Sequence, residues 1–187
     1  MVDIARSEFI LGGQKSGKSR RAELIARQWL DATVAHRAVL IATGQAWDDE
    51  MRERIARHQR DRAVRVPGMV TVEEPLALAE VLKRHSAPHT LVVVDCLTLW
   101  LTNLLMPAQG EPQDAEEPTR ELCRAIEQAQ GPVVLVGNEI GLGVIPMGRE
   151  VRAFVDALGG LNQAVAGTCA RVTLMAAGLP LNLKEPG

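Results

Sequence analysis

Residues 10–19 read "ILGGQKSGKS". Gly12, Gly17, Lys18 and Ser19 fit the phosphate-loop pattern G-x-x-x-x-G-K-[ST]. The apolar run Phe9-Ile10-Leu11 at its head reads as a buried strand, and "RRAELIARQWL" behind it as a helix. That order of strand, loop and helix turns backbone N–H groups and a helix N-terminus toward one anion. Gly12 and Gly13 permit a tight turn that side chains would obstruct. The expected nucleotide-binding residues are Gly12, Gly13, Gln14, Lys15, Ser16, Gly17, Lys18 and Ser19. Lys18 can reach the β and γ phosphates, and the Ser19 hydroxyl can ligate Mg2+. Lys15 either adds charge at the loop or is solvated.

Working outward, "AVLIA", "LVVVD", "VVLVG" and "RVTLMA" are further short apolar runs. They are continuous rather than alternating, as strands are when helices cover both faces of a sheet. Helical patterns are expected near Arg20–Leu30, Asp49–Arg62, Leu76–Arg84, Thr119–Gln128 and Arg149–Ala166. The succession predicts an α/β fold of the P-loop NTPase kind, with a mostly parallel central sheet and flanking helices. "VRVPG" is expected to add a short strand, and "LPLNLK" a final edge strand after an "AAG" turn. "MPAQGEPQDAEEPT" reads as a surface excursion, given its prolines, acids and glycine. The 187 residues suit one domain, 1–187, with residues 1–8 as a short N-terminal extension.

The formal charge of −2 gives no extended nucleic-acid footprint. Aromatic residues are too few for a base-stacking platform. The three cysteines, Cys96, Cys123 and Cys169, offer neither a disulfide framework nor metal-ligand spacing, which favours a reducing cytoplasm. The N-terminus has no signal-like apolar region, and no run approaches a membrane span. No nucleic-acid partner and no membrane insertion are therefore expected.

Chemistry-bearing residues gather in three further segments. "LVVVDC" ends a strand on Asp95, a position that holds magnesium in P-loop enzymes. "TGQAWDDEMRERIARHQRDR" places Trp47, Met51, Ile55 and His58 on one helical face. Arg54 and Arg62 stand one turn to either side of His58. A neutral imidazole can attack phosphorus where nearby cations hold the phosphates. Local spacing alone still favours a packed helix histidine. "VGNEIGLGVIP" follows a buried-looking strand, and Asn138 and Glu139 could orient an acceptor hydroxyl, a base or a metal-bound water. A strand-end cap with a surface acid is the competing reading. Cys96 reads as packing because its surroundings are apolar. His36, His85 and His89 form neither a metal pattern nor a triad.

The segments "GGQKSGKS", "IATGQAWDDEMRERIARHQ", "VDCLTLWLTNLL" and "VGNEIGLGVIP" together resemble the adenosylcobinamide kinase/adenosylcobinamide-phosphate guanylyltransferase family. The resemblance runs on through "GREVRAFVDALGGLNQ" and covers nearly the whole chain. It implies a trimeric P-loop enzyme of cobalamin biosynthesis with two activities. The first phosphorylates adenosylcobinamide with ATP or GTP. The second transfers GMP from GTP to adenosylcobinamide phosphate, releasing pyrophosphate. It further implies that His58 carries the guanylyl group, that Lys18 and Ser19 serve the phosphate loop, and that Asp95 is the magnesium-associated acid. Arg54, Arg62, Asn138 and Glu139 become candidates for contact with substrate. Two other readings fit the phosphate loop alone: a single-activity small-molecule kinase, and a nucleotide-controlled interaction protein.

Overall fold

A computed structural model describes residues 4–46 and 49–186. In chain order its elements are β1 (Ser7–Gly12), α1 (Lys18–Ala32), β2 (Arg37–Ala42), α2 (Asp49–Arg65), β3 (Val70–Glu73), α3 (Leu78–His85) and β4 (Thr90–Asp95). There follow α4 (Leu97–Leu105), α5 (Glu116–Glu127), β5 (Val133–Val136), α6 (Arg149–Thr168), β6 (Arg171–Ala176) and β7 (Leu179–Lys184). The seven strands form one sheet in the order β3-β2-β4-β5-β1-β6-β7. Every pairing is parallel except β6 with β7.

Successive residues of β1 explain why the strands read as unbroken apolar runs. Phe9 and Leu11 enter a core that includes Leu82, Trp100, Leu122 and Leu161. Ile10 enters another, with Ile25, Leu40, Val93 and Val134. Both faces of the strand are dry, so both side-chain sets are apolar. The parallel order then sends the carboxyl ends of β1, β2, β4 and β5 to one edge, where ligands of such sheets bind.

Several expected boundaries move. Ser7 and Glu8 belong to β1 rather than to an extension, and Glu8 is buried against Arg21 at 2.9 Å and Thr173 at 2.9 Å. "VRVPG" is not a strand. Arg65 ends α2, the Val66 N–H still bonds the Arg62 carbonyl at 2.8 Å, and β3 begins at Val70. "LTLWLTNLL" is a helix, α4, that the sequence reading leaves unassigned. The excursion is shorter than expected, because α5 starts at Glu116. The final edge strand stands as expected, with Ala177 and Gly178 turning at φ 53° and 80°.

Candidate nucleotide site

The phosphate loop leaves β1 through Gly12, whose φ is 152°. A Cβ there would lie 2.5 Å from the Met175 carbonyl oxygen and 2.6 Å from Ser16 Oγ, so only glycine fits. Gly13 differs: a Cβ would meet nothing within 4 Å, and its backbone does not demand glycine. Gly17, at φ 102°, caps α1, and the Gly178 N–H donates to the Ser16 carbonyl at 3.0 Å. The loop is thus braced by the turn between β6 and β7.

Lys18 is buried, and its ammonium donates to the Gly13 carbonyl at 2.5 Å. Burial lowers its pKa, opposed by the charges of Cys96 and Asp95. Ser19 Oγ donates to Asp95 Oδ2 at 3.2 Å, which joins the first turn of α1 to the end of β4. Burial raises the Asp95 pKa, opposed by the Ser19 hydroxyl and by the nearby basic groups of Arg62, His58 and Lys18. Loop and strand-end acid are thus hydrogen-bonded, and α2 brings Arg62 and His58 within electrostatic reach of that acid.

Thr43, at the end of β2, fixes the backbone beyond Asp95. Its hydroxyl donates to the Cys96 carbonyl at 2.7 Å and accepts the Cys96 N–H at 2.9 Å. Its N–H donates to the Asp95 carbonyl at 3.1 Å, and Asn103 Nδ2 donates to its carbonyl at 2.8 Å. The Cys96 thiol is pushed up to about 12 by burial, which leaves it a packing group and no nucleophile at neutral pH.

His58 stands exposed on α2, with Ile55 half-buried on the same side. It is not the packed histidine that local spacing favours. Arg62, one turn on, is only 9% exposed. Trp47 lies outside the described residues, as do the side chains of Met51 and Arg54. Arg65 ties the end of α2 to Glu23 of α1 at 2.7 Å. On the other side, the Glu139 N–H donates to the Gly12 carbonyl at 3.2 Å, and the Asn138 N–H to Thr98 Oγ1 at 2.9 Å. Asn162 Nδ2 holds the Asn138 carbonyl at 3.1 Å. Asn138 and Glu139 are thus fixed by their backbone beside the loop. The Glu139 carboxylate accepts the Gly141 N–H at 2.7 Å.

Beside α2 opens a cavity of about 720 Å3, lined among others by Gly44, Ile55, Gln59, Glu73, Leu76 and Asn103. Among the described residues, no group of three His, Cys, Asp or Glu gathers for a metal. Ser19 and Asp95 nevertheless suit Mg2+, which takes few hard protein oxygens and completes its shell with water and phosphate. Sequence reasoning missed Thr43, Gly178 and Arg65. Only Thr43 carried a signal, as the polar step that ends "VLIA".

Residues 8–183 match the family described as cobinamide kinase/cobinamide phosphate guanyltransferase. The chain is 46% identical to the bifunctional adenosylcobalamin biosynthesis protein CobP of Pseudomonas aeruginosa, over 96% of this chain and 98% of that protein. It is 32% identical to the bifunctional adenosylcobalamin biosynthesis protein CobU of Escherichia coli, over 94% and 98%. The flagellar accessory protein FlaH of Methanocaldococcus jannaschii superposes with a TM-score of 0.58 at 10% identity, over 99% of this chain and 80% of that one, a likeness of fold alone.

Proposed function

Since the chain belongs to the cobinamide kinase/cobinamide phosphate guanyltransferase family, we propose that both reactions run at the edge formed by the phosphate loop, Asp95 and α2. The observation that carries this reading is the hydrogen bond from Ser19 to Asp95 at 3.2 Å, which joins the loop to the strand end, with Lys18, His58 and Arg62 within electrostatic reach of that carboxylate.

In the first reaction the loop and Lys18 hold ATP or GTP, and the cobinamide hydroxyl attacks the γ phosphorus. Glu139 and Asn138 face that acceptor. In the second, His58 attacks the α phosphorus of GTP, and the phosphate made in the first step then takes GMP from the histidine. The exposure of His58 suits a nucleophile that must meet two substrates in turn. Ser19 and Asp95 would hold Mg2+, which supplies charge neutralisation to the phosphates. Arg54 and Arg62, both on the histidine's helix, are the cations assigned to hold phosphate. The cavity beside α2 leaves room for the parts of a substrate that are not phosphate. The enzyme works in the cytoplasm. Among the described residues, no helix is long and apolar enough to cross a membrane.

The test uses GTP labelled in the α phosphate. The protein should retain label covalently, stable to base and labile to acid as a phosphoramidate is. It should then lose the label when adenosylcobinamide phosphate is added. ATP or GTP consumption that depends on cobinamide, with no retained label, would leave a kinase alone. No cobinamide-dependent turnover at all would favour a nucleotide-controlled switch.

A further inference from the structure

Among the described residues, the buried charged side chains are those of Glu8, Lys18, Glu23, Arg62 and Arg171. Four of them have close partners. Glu8 and Arg171 meet Arg21 and Glu185, Glu23 meets Arg65, and Lys18 donates within the phosphate loop. The Arg62 side chain makes no hydrogen bond or ion pair with any described residue, and its charge acts at longer range on Asp95. A guanidinium cannot relieve burial by losing its proton. Among the described residues no carboxylate pairs with it, and its nitrogens are not among the fully buried unpaired atoms, so an anion arriving from solvent can reach them. Asp95 lies within electrostatic reach, but no hydrogen bond or ion pair joins it to Arg62, and it is the acid that would meet Mg2+.

The surroundings fix where that anion must come. Arg62 follows His58 by four residues on the same face of α2, a rise of about 6 Å. The helix end that carries it is anchored twice: Val66 is 1% exposed in the core, and Arg65 holds Glu23. Arg62 therefore stands on an anchored stretch of α2, one turn from His58 and within electrostatic reach of the strand end beside the phosphate loop.

We propose that Arg62 is a catalytic residue that grips the non-bridging oxygens of the transferred phosphoryl group through both halves of GMP transfer. This rests on the guanylyl-His58 reading. In the first half, the imidazole nitrogen forms a bond to the α phosphorus and gives its proton to solvent. The bond from that phosphorus to the bridging oxygen breaks, and its electron pair departs with pyrophosphate. In the second half, an oxygen of the acceptor phosphate bonds to the same phosphorus, the nitrogen–phosphorus bond breaks with its electron pair left on nitrogen, and a proton from solvent restores the imidazole. Charge builds on the same two oxygens each time, and a preorganised guanidinium stabilises it. The kinase step moves the γ phosphoryl group over the phosphate loop instead, so Arg62 contributes little there.

The experiment compares the unaltered protein with Arg62→Ala and Arg62→Lys in three assays: covalent capture of α-labelled GTP, GMP transfer to preformed adenosylcobinamide phosphate, and cobinamide phosphorylation. Arg62→Ala should slow capture and transfer about 100-fold or more. Phosphorylation should fall at least about tenfold less than capture and transfer do. Arg62→Lys should fall between, since an ammonium keeps the charge and loses the fork. The two diastereomers of α-thio GTP supply a readout that mere structural damage does not move. The parent should react faster with one of them, and Arg62→Ala should lose that preference. Methylguanidine should restore part of its rate. If Arg62→Ala does not fold, a weakened thio preference in Arg62→Lys carries the test. Capture by folded Arg62→Ala within about threefold of the parent overturns the proposal. So does an equal fall of all three activities with the thio preference intact. A parent that captures no GMP defeats the histidine reading itself, a result visible before any variant is made.

Discussion

At the scale of single residues, the site joins groups with separable duties. His58→Ala removes the nitrogen that would carry GMP and leaves the phosphate loop whole. Its expected result is loss of covalent labelling and of GMP transfer, by a factor on the order of 1,000 or more, with measurable cobinamide phosphorylation retained. Parallel assays with preformed and unphosphorylated cobinamide check the separation, and ordinary labelling of the alanine variant would exclude His58. Asp95→Asn keeps the size of the side chain and removes its charge. The magnesium concentration needed for half-maximal rate should rise at least about tenfold in both reactions, because one hard anionic oxygen is gone. A titration of both activities measures this, and an unchanged magnesium dependence would remove Asp95 from the metal site. Much of this chemistry was legible because it is local. Gly12 to Ser19 are contiguous, Asp95 ends a plain apolar run, and His58 and Arg62 are one helical turn apart. What spacing could not convey was solvent. His58 continues an apolar stripe in the sequence and yet stands exposed, while Arg62 is buried.

At the scale of elements, α2 matters most, since it must hold His58 and Arg62 against a sheet edge. Its mean hydropathy is low and its outer face is charged, so little apolar burial holds it. The clamp is Arg65 on Glu23, with Arg65 side-chain exposure of 46% and Glu23 of 10%. Arg65→Ala leaves the less exposed carboxylate without its partner. The expected cost is about 1 kcal/mol, discounted for the solvent around Arg65. Unfolding in urea should show that fall, and GMP transfer should decline more than phosphorylation because α2 shifts. Unchanged stability and transfer would mean that Val66 anchors the helix alone. Elements were legible where one signal dominated. Strands β1, β2, β4, β5 and β6 are continuous apolar runs. Helix α4 was not legible, because "LTLWLTNLL" is apolar almost throughout and carries β-branched threonines, which suit strands as well as helices. Strand β3 lies four residues past the "VRV" that competes with it, and pairing with β2 decides between them.

At the scale of the whole molecule, two stretches hold large apolar side chains in water. Leu142, Val144, Ile145 and Met147 are 81%, 96%, 77% and 95% exposed. Leu179, Leu181 and Leu183 line the open side of the edge strand β7. Grouped exposed apolar side chains often mark an interface, and the homotrimer that the family resemblance implies is the assembly expected to cover them. Sedimentation velocity should give a species of three chain masses across a tenfold concentration range. A monomer under active conditions would end that reading. The bracing of the loop by the β6–β7 turn bears on a different process, synthesis. Strand β1 is among the first segments made, yet its sheet neighbours are β5 and β6, and its loop leans on Gly178. Contacts so far apart in sequence form late. A chain still emerging from the ribosome can therefore assemble β2, α3 and β4 long before its phosphate loop settles. Nucleotide would then find no grip on the nascent chain, and the capacity to bind it would arrive only with the last hairpin.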